Sequence, residues 1–416
     1  MLVGINLFAD SSKRAQMVLD EVWNQVSSRH FNIDFKKKYQ KLYDKHKTEI
    51  LKSKNDASLS KNINKLLMEL GQSHIILMPP VGAGVSKAMA KIRKSTAPKK
   101  NGSSGKRRRS IDAPADTGII VSQTDNKICV IRVRKNSPAA KAGIKMGDVI
   151  ITINGFALSP RRQSYLGWPI IVRALLSGQP GSKVTLAIEN SKNKIRKVTL
   201  KRQLNGEKWF KFGVLPRSYS DFYATVLPGN IGYVNFTAFT PPMIMRFRQA
   251  ILGKLRNVKG LIIDMRGNVG GMLIYPQWLA AWCCPEQVFF GKLIMKGVPL
   301  SPQSFPQTQC FKGPLAVLID KYAYSCAEIF PAGMQDCKKA KLFGTTTSGK
   351  CLPSVFLKLP SGFRLQTITG NITRKNGEGI EKIGVKPDVK VILSLKSLQA
   401  GKDNVIEAAR EYLLKK

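Results

Sequence analysis

The period of the hydrophobic pattern changes twice along this chain, so no single kind of secondary structure can account for its fold. Between residues 12 and 71, apolar side chains recur at three- and four-residue spacing, and Ala15, Val18, Leu19, Val22, Trp23 and Val26 make one helical face. A second face runs through Phe35, Tyr39, Leu42 and Tyr43 after a candidate cap at Asp34. A third runs through Leu59, Ile63, Leu66, Leu67 and Leu70, with Gly71 where a helix would stop. From Asp116 to about Gln203 the pattern alternates, as in residues 128–133 and 184–188, which predicts short strands. Beyond Leu204, strand-like runs at 232–236, 261–264 and 315–319 are separated by helix-like stretches at 243–255 and 327–338, and residues 402–416 read as a closing amphipathic helix. That order predicts a multidomain α+β chain with an α/β core at its C-terminal end.

A chain of 416 residues with 43% hydrophobic residues can bury more than one core, which excludes disorder throughout. No run approaches the roughly 18 to 20 apolar residues that a membrane-spanning helix needs. Lys and Arg number 68 against 26 Asp and Glu, a net charge of +42. Such a field attracts nucleic acid, anionic lipid or an acidic envelope polymer, although its spread along the chain suits solvated faces. It is densest in residues 91–110, KIRKSTAPKKNGSSGKRRRS, whose Gly, Ser and Pro mark a flexible linker. Paired stacking aromatics are missing, so no specific nucleic acid is expected. Seven cysteines, an odd number without C-x-x-C spacing, predict neither a disulfide framework nor a zinc site, and no metal or cofactor is expected. The N-terminal stretch MLVGINLFADSSKR has no basic region ahead of its apolar residues, so a complete signal peptide is not visible.

Within the alternating region stands SPAAKAGIKMGDVIITING, residues 137–155. Physically this is a short Ala-rich helix ending at Gly143, a strand, and an Asn-Gly hairpin turn. It resembles the central signature of a PDZ domain. The resemblance implies that a ligand's C-terminus adds as a strand beside the sheet, its carboxylate held by backbone N–H groups of a loop matching Thr117, Gly118, Ile119 and Ile120.

Three clusters in the last region carry candidate chemistry. Residues 264–271, DMRGNVGG, form a glycine-rich turn after an apolar strand; the spacing fits neither nucleotide fingerprint, but such a turn exposes N–H groups of the kind that stabilise an oxyanion. Residues 320–330, DKYAYSCAEIF, put Ser325 at a strand-to-helix junction, where it serves either as a nucleophile or as a helix N-cap. Residues 344–350, GTTTSGK, end in a lysine. All three histidines, His30, His46 and His74, lie in the first 74 residues, and a buried lysine can replace histidine as a base.

Together these segments resemble the carboxyl-terminal processing peptidases, or tail-specific proteases, a Ser/Lys serine-protease family. The resemblance spans nearly the whole chain. It implies a helical region at 1–75, a linker with the basic segment at 76–115, a PDZ domain at 116–204, and a protease core of the ClpP/crotonase-like type at 205–416. It places the nucleophile at Ser325 and the base at Lys350, 25 residues apart as in the family. The oxyanion hole falls to the N–H groups of Gly271 and Cys326, and residues 376–388 match the family's closing stretch. The sequence departs from the family at two places: Cys351 stands where Gly follows the base, and Ser354 where a Gln orients it, leaving Gln366 or Thr367 as substitutes. Cys326 and Cys351 each follow a dyad residue, which leaves them either as two small space-filling residues or as a redox-sensitive pair.

The function so implied is a serine endopeptidase that recognises polypeptides by apolar C-terminal tails. A catalytically inactive PDZ scaffold on a degenerate protease fold is the alternative. The family implies an extracytoplasmic place in periplasm or envelope, an anionic envelope or membrane surface as a further partner, and homo-oligomers as one state.

Overall fold

The computed structural model describes residues 2–80, 113–158, 167–215 and 217–416, with side chains from Ser11 onward. The basic segment at 91–110 lies outside the described residues.

Three helices, Leu2–Arg29, Phe35–Leu51 and Asp56–Glu69, form at the expected periodic segments. Ala15, Val18, Leu19, Val22 and Val26 are wholly buried, as the helical period requires. Asp34 makes no side-chain cap, whereas Asn55 caps the third helix by accepting from the Ser58 N–H. These helices bury their apolar faces against Leu352, Leu359, Phe363, Leu365 and Ile368, residues from the far end of the chain. Strand Ile76–Met78 completes the union by pairing antiparallel with Arg364–Ile368, Ile76 opposite Gln366. The boundary expected near residue 75 therefore runs through a layer that both ends of the chain build together.

Ile119–Thr124, Lys127–Val133, Val149–Ile153, Lys183–Glu189 and Ile195–Lys201 make an antiparallel sheet, to which the short strand Phe156–Ala157 adds beside Val149–Ile153. Ile119–Thr124 lies at its edge, and helix Trp168–Leu176 packs beside it. Helix Pro138–Lys141 and the Asn154–Gly155 turn, with both φ angles positive at 51° and 78°, stand where the sequence places them.

The C-terminal half is built on a six-stranded sheet: Phe222–Leu227, Ile231–Phe236, Gly260–Asp264, Leu315–Ile319, Lys341–Gly344 and Val389–Lys390. Only the first pair is antiparallel. Helices cover both faces, so its central strands read as unbroken apolar runs. Val317 and Ile319 join the core beneath helices Pro241–Leu252, Tyr275–Cys283 and Cys326–Asp336, while Ala316 and Leu318 meet helix Asn404–Leu414.

Phe363 is fully buried in the layer shared by both ends of the chain. Phe363→Ala should lower unfolding free energy by about 3 to 5 kcal/mol, read by urea denaturation, because the lost ring leaves a cavity.

Candidate active site

Strand Leu315–Ile319 ends at a turn that delivers Ser325 to the start of helix Cys326–Asp336. Ser325 adopts φ 60° and ψ −127°, a conformation that costs a non-glycine residue on the order of 1 to 3 kcal/mol. Neighbouring bonds hold it there. Its N–H donates to the Lys350 carbonyl at 2.7 Å and faces the Glu328 carboxylate at 3.2 Å. Asp320, one residue past the strand, accepts from the Gly267 and Tyr322 N–H groups, both at 3.0 Å, and so ties the glycine turn to the serine segment. Burial pushes its carboxyl up to about 6, against the pull of those donors.

The glycine turn lies directly against Ser325. A Cβ on Gly270 would come within 2.6 Å of the Ser325 Cβ and 3.0 Å of the Cys326 nitrogen, so only glycine allows this approach. Asn268, wholly buried, shapes the turn by accepting from the Gly270 N–H at 2.9 Å and donating to the Phe236 carbonyl at 2.9 Å. Gly271 is exposed and bridges Phe239 in parallel, through the Phe239 N–H to the Gly270 carbonyl and the Met272 N–H to the Phe239 carbonyl. That pattern leaves the Gly271 N–H pointing away from the bridge. The Cys326 Sγ lies 3.4 Å from the Gly271 carbonyl, which sets Gly271 beside the first turn of the serine helix. Arg266 anchors the turn from below as a buried guanidinium between Asp264 and Asp403.

Glu328 organises the third cluster. Its carboxylate accepts from the Thr347 hydroxyl at 2.6 Å, the Gly349 N–H at 2.7 Å and the Lys350 N–H at 2.9 Å, in addition to Ser325. Burial pushes this carboxyl up to about 7. The serine and lysine segments are therefore clasped by one side chain. Burial also lowers the Lys350 ammonium below its ordinary range, while Glu328 and Glu381 pull it back up. Gln366 and Ser354 hold each other at 2.9 Å, and the Thr367 Oγ1 is buried without a partner. Burial pushes the Cys326 thiol up to about 12 and raises the Cys351 thiol well above its ordinary value. Both thiols stay protonated, which works against the thiolate chemistry that a redox pair needs.

One member of this site has no counterpart in the sequence reading. Ser73 donates from its N–H to Glu381 Oε1 at 2.8 Å and from its hydroxyl to Glu381 Oε2 at 2.8 Å. The same hydroxyl lies 2.7 Å from His74 Nδ1. Since the single hydroxyl proton goes to Glu381, Nδ1 must carry the proton it shares with Ser73, and Nε2 is left with a lone pair. Glu381 also accepts from the Cys351 N–H at 2.9 Å, one residue from Lys350. His74, at φ 61°, sets its ring edge-on to Tyr324, the residue before Ser325, with centroids 6.4 Å apart. Burial, with the Lys350 charge adding to it, brings His74 down to about 4, so the ring is neutral near pH 7.

Ahead of the edge strand of the antiparallel sheet, Thr117 and Gly118 form a loop, with Thr117 wholly buried and Gly118 at φ 80°. The Gly118 N–H donates to Asp116 Oδ1 at 2.7 Å, and Arg134 pairs with that carboxylate at 2.9 Å. Ile119 and Ile120 begin the edge strand.

Residues 230–391 match peptidase family S41, and residues 115–201 match the PDZ domain. The C-terminal half is thus similar to peptidase family S41. Among its relatives, the carboxy-terminal processing protease CtpA of Bacillus subtilis is 26% identical over 277 residues, 66% of this chain and 56% of that protein. The chloroplastic C-terminal processing peptidase of Tetradesmus obliquus is 26% identical over 281 residues, 64% and 56% of the two chains. The chain thus spans just over half the length of these relatives. The solved photosystem II D1 C-terminal processing protease shares the fold, at TM-score 0.53 and 21% identity over 92% of this chain and 97% of that one. No helix among the described residues is long and apolar enough to cross a membrane, and no group of side chains among them could hold a metal ion.

The depressed His74 makes a pH prediction for this chain. Its imidazole, normally near 6.5, binds a proton less readily when folded, so its contribution to stability is complete above pH 6.5 and is lost as pH falls through about 4. Wild type should lose about 3 kcal/mol more than His74→Gln between pH 7 and pH 4 in urea denaturation.

Proposed function

We propose that the chain is a serine endopeptidase acting on polypeptides with apolar C-terminal tails, with Ser325 as nucleophile and His74 as its base. The observation that carries this reading is the run of contacts from Glu381 through Ser73 to His74, closing on the serine segment. A carboxylate fixes a hydroxyl, the hydroxyl fixes the tautomer, and the free Nε2 lone pair is available to a serine held in a strained turn. As Ser325 Oγ bonds to a peptide carbonyl carbon, Nε2 takes its proton. The Gly271 and Cys326 N–H groups hold the oxygen that becomes negative, and the helix beginning at Cys326 adds its favourable N-terminal field. Collapse returns the proton to the leaving amine, and water repeats the sequence to release the acyl group. The strained Ser325 favours this enzyme over an inactive scaffold, because a scaffold has no use for a costly conformation.

A second reading keeps Lys350 as base, and the observation favouring it is that burial lowers its ammonium. Glu328 and Glu381 oppose that shift, whereas His74 is already neutral. On the first reading Lys350 is a cation beside the site, one that disfavours protonation of His74.

The PDZ domain captures the tail along the edge strand Ile119–Thr124, beside helix Trp168–Leu176. Occupancy there is felt at the nucleophile, because Gly167, at the start of that helix, lies against Tyr322: a Cβ on Gly167 would come within 2.8 Å of the ring. The place of action implied by the resemblance is outside the cytoplasm.

The test is cleavage of an unstructured protein bearing an apolar C-terminal tail. Ser325→Ala should lower kcat/KM by at least about 10⁴-fold, His74→Ala by at least about 10³-fold and Lys350→Met by less than about tenfold. Amidating the tail should cost about tenfold, through KM. Loss in Lys350→Met with retention in His74→Ala would give the role of base to lysine, and activity surviving Ser325→Ala would remove the serine mechanism.

A further inference from the structure

Hairpin Lys292–Met295 and Val298–Leu300 projects from the S41-like domain with an apolar face that runs out of the core into solvent. The register builds that face: buried Ile372 lies opposite Leu293, Leu293 opposite Leu300, and Met295 opposite Val298. Side chains at alternate positions of paired strands share one side, so Met295, Val298 and Leu300 continue the stripe that Ile372 and Leu293 begin. Burial stops at Leu293. Val298 and Leu300 are 59% and 48% exposed, and Phe305 of the following segment is 65% exposed. Exposed apolar side chains grouped in this way mark a surface that meets something.

The charge around the hairpin decides what it meets. From Gln287 to Ile319 there is no acidic residue, while Lys292 and Lys296 are exposed and form no ion pair among the described residues. Lys296 sits in the turn itself, beside the apolar tip. A second copy of this chain would bring these lysines against their own symmetry mates with no acid between them, which opposes self-association. Adding a strand to the open edge is also impaired. The Lys296–Gly297 turn makes Met295 and Val298 a bonded pair, so position 299 faces outward, and Pro299 has no N–H to offer. What remains is a surface that accepts apolar side chains beneath a layer of negative charge.

We propose that this hairpin is a membrane-docking element, inserting Met295, Val298 and Leu300 at the boundary of an anionic bilayer while Lys292 and Lys296 meet the headgroups. Apolar insertion combined with lysine contacts is the chemistry by which proteins lie on anionic membranes without spanning them. Docking of this kind would hold the peptidase at a surface without using its PDZ or nucleophile residues.

The test is co-sedimentation of the full chain with vesicles of phosphatidylcholine alone or with about 30% phosphatidylglycerol, at low and moderate salt. Because a net charge of +42 attracts any anionic surface, Lys36→Gln with Lys41→Gln, on the exposed face of helix Phe35–Leu51, serves as a comparator of equal charge change. The proposal expects binding only to the anionic vesicles. It expects Val298→Ser with Leu300→Ser, which leaves charge unchanged, to weaken binding about tenfold, and Lys292→Gln with Lys296→Gln to weaken it more than the comparator. Phe305→Ser provides a second apolar variant should the double substitution disturb folding, which circular dichroism will show. Wild-type binding by the serine variants, or equal losses in the two lysine pairs, would overturn it. A concentration-dependent dimer in wild type that the serine variants abolish, seen by sedimentation velocity, would overturn it in favour of a second copy.

Discussion

Glu381 and Ser73 are 308 residues apart in sequence, and the two hydrogen bonds between them fix the site that the rest of the fold surrounds. Through this contact the end of the helical region brings His74 to a serine segment formed late in the chain. The contact does not stand alone. Strand Ile76–Met78 is zipped onto Arg364–Ile368 two residues after His74, and the three helices bury their faces against the same hairpin. The backbone at His74 is thus braced on one side by a strand ladder and on the other by a carboxylate, enough to hold a residue at φ 61°. The helical region does more than shield a core: it sets an imidazole beside the residue that precedes Ser325.

Around that contact the site concentrates buried carboxyl groups, each held by several short bonds. Glu328 accepts from four donors drawn from two segments, and Asp320 joins the glycine turn to the serine turn. Buried carboxyls with this many donors act as rigid fasteners, because losing any one bond leaves an unsatisfied group in a poorly solvated place. The strain at Ser325 persists because these fasteners over-determine its backbone. The same low solvation depresses His74 and Lys350 together, and their proximity means that the charge of one opposes the charge of the other.

Much of this was legible wherever the signal was local. The helical faces, the Asn154–Gly155 turn, the short helix ahead of Gly143 and the serine at a strand-to-helix junction are each written within a few residues. Gly270 and Gly271 were legible for the same reason, since close backbone approach demands glycine. The place of His74 was harder to read. Gly349-Lys350 stands near Ser325 in sequence, and its segment does meet the serine in space, but the count of histidines by position left His74 outside consideration. Periodicity and spacing carry no information about a pairing across 308 residues, and Ser73-His74 after a helix end reads as an ordinary turn. Gln366, expected as a substitute for the missing Gln, donates its amide to Ser354. For Cys326 and Cys351, burial opposes the thiolate form on which redox sensitivity depends.

Three histidines in 416 residues make the central claim open to direct observation by nuclear magnetic resonance of selectively labelled imidazole rings, with His74→Gln for assignment. The account predicts that the His74 ring stays neutral, protonated at Nδ1, down to about pH 4, and that its signals move when Ser325 is blocked with a phosphonate. An Nε2-protonated His74 ring, or one that titrates near its ordinary value and is indifferent to modification of Ser325, would contradict it.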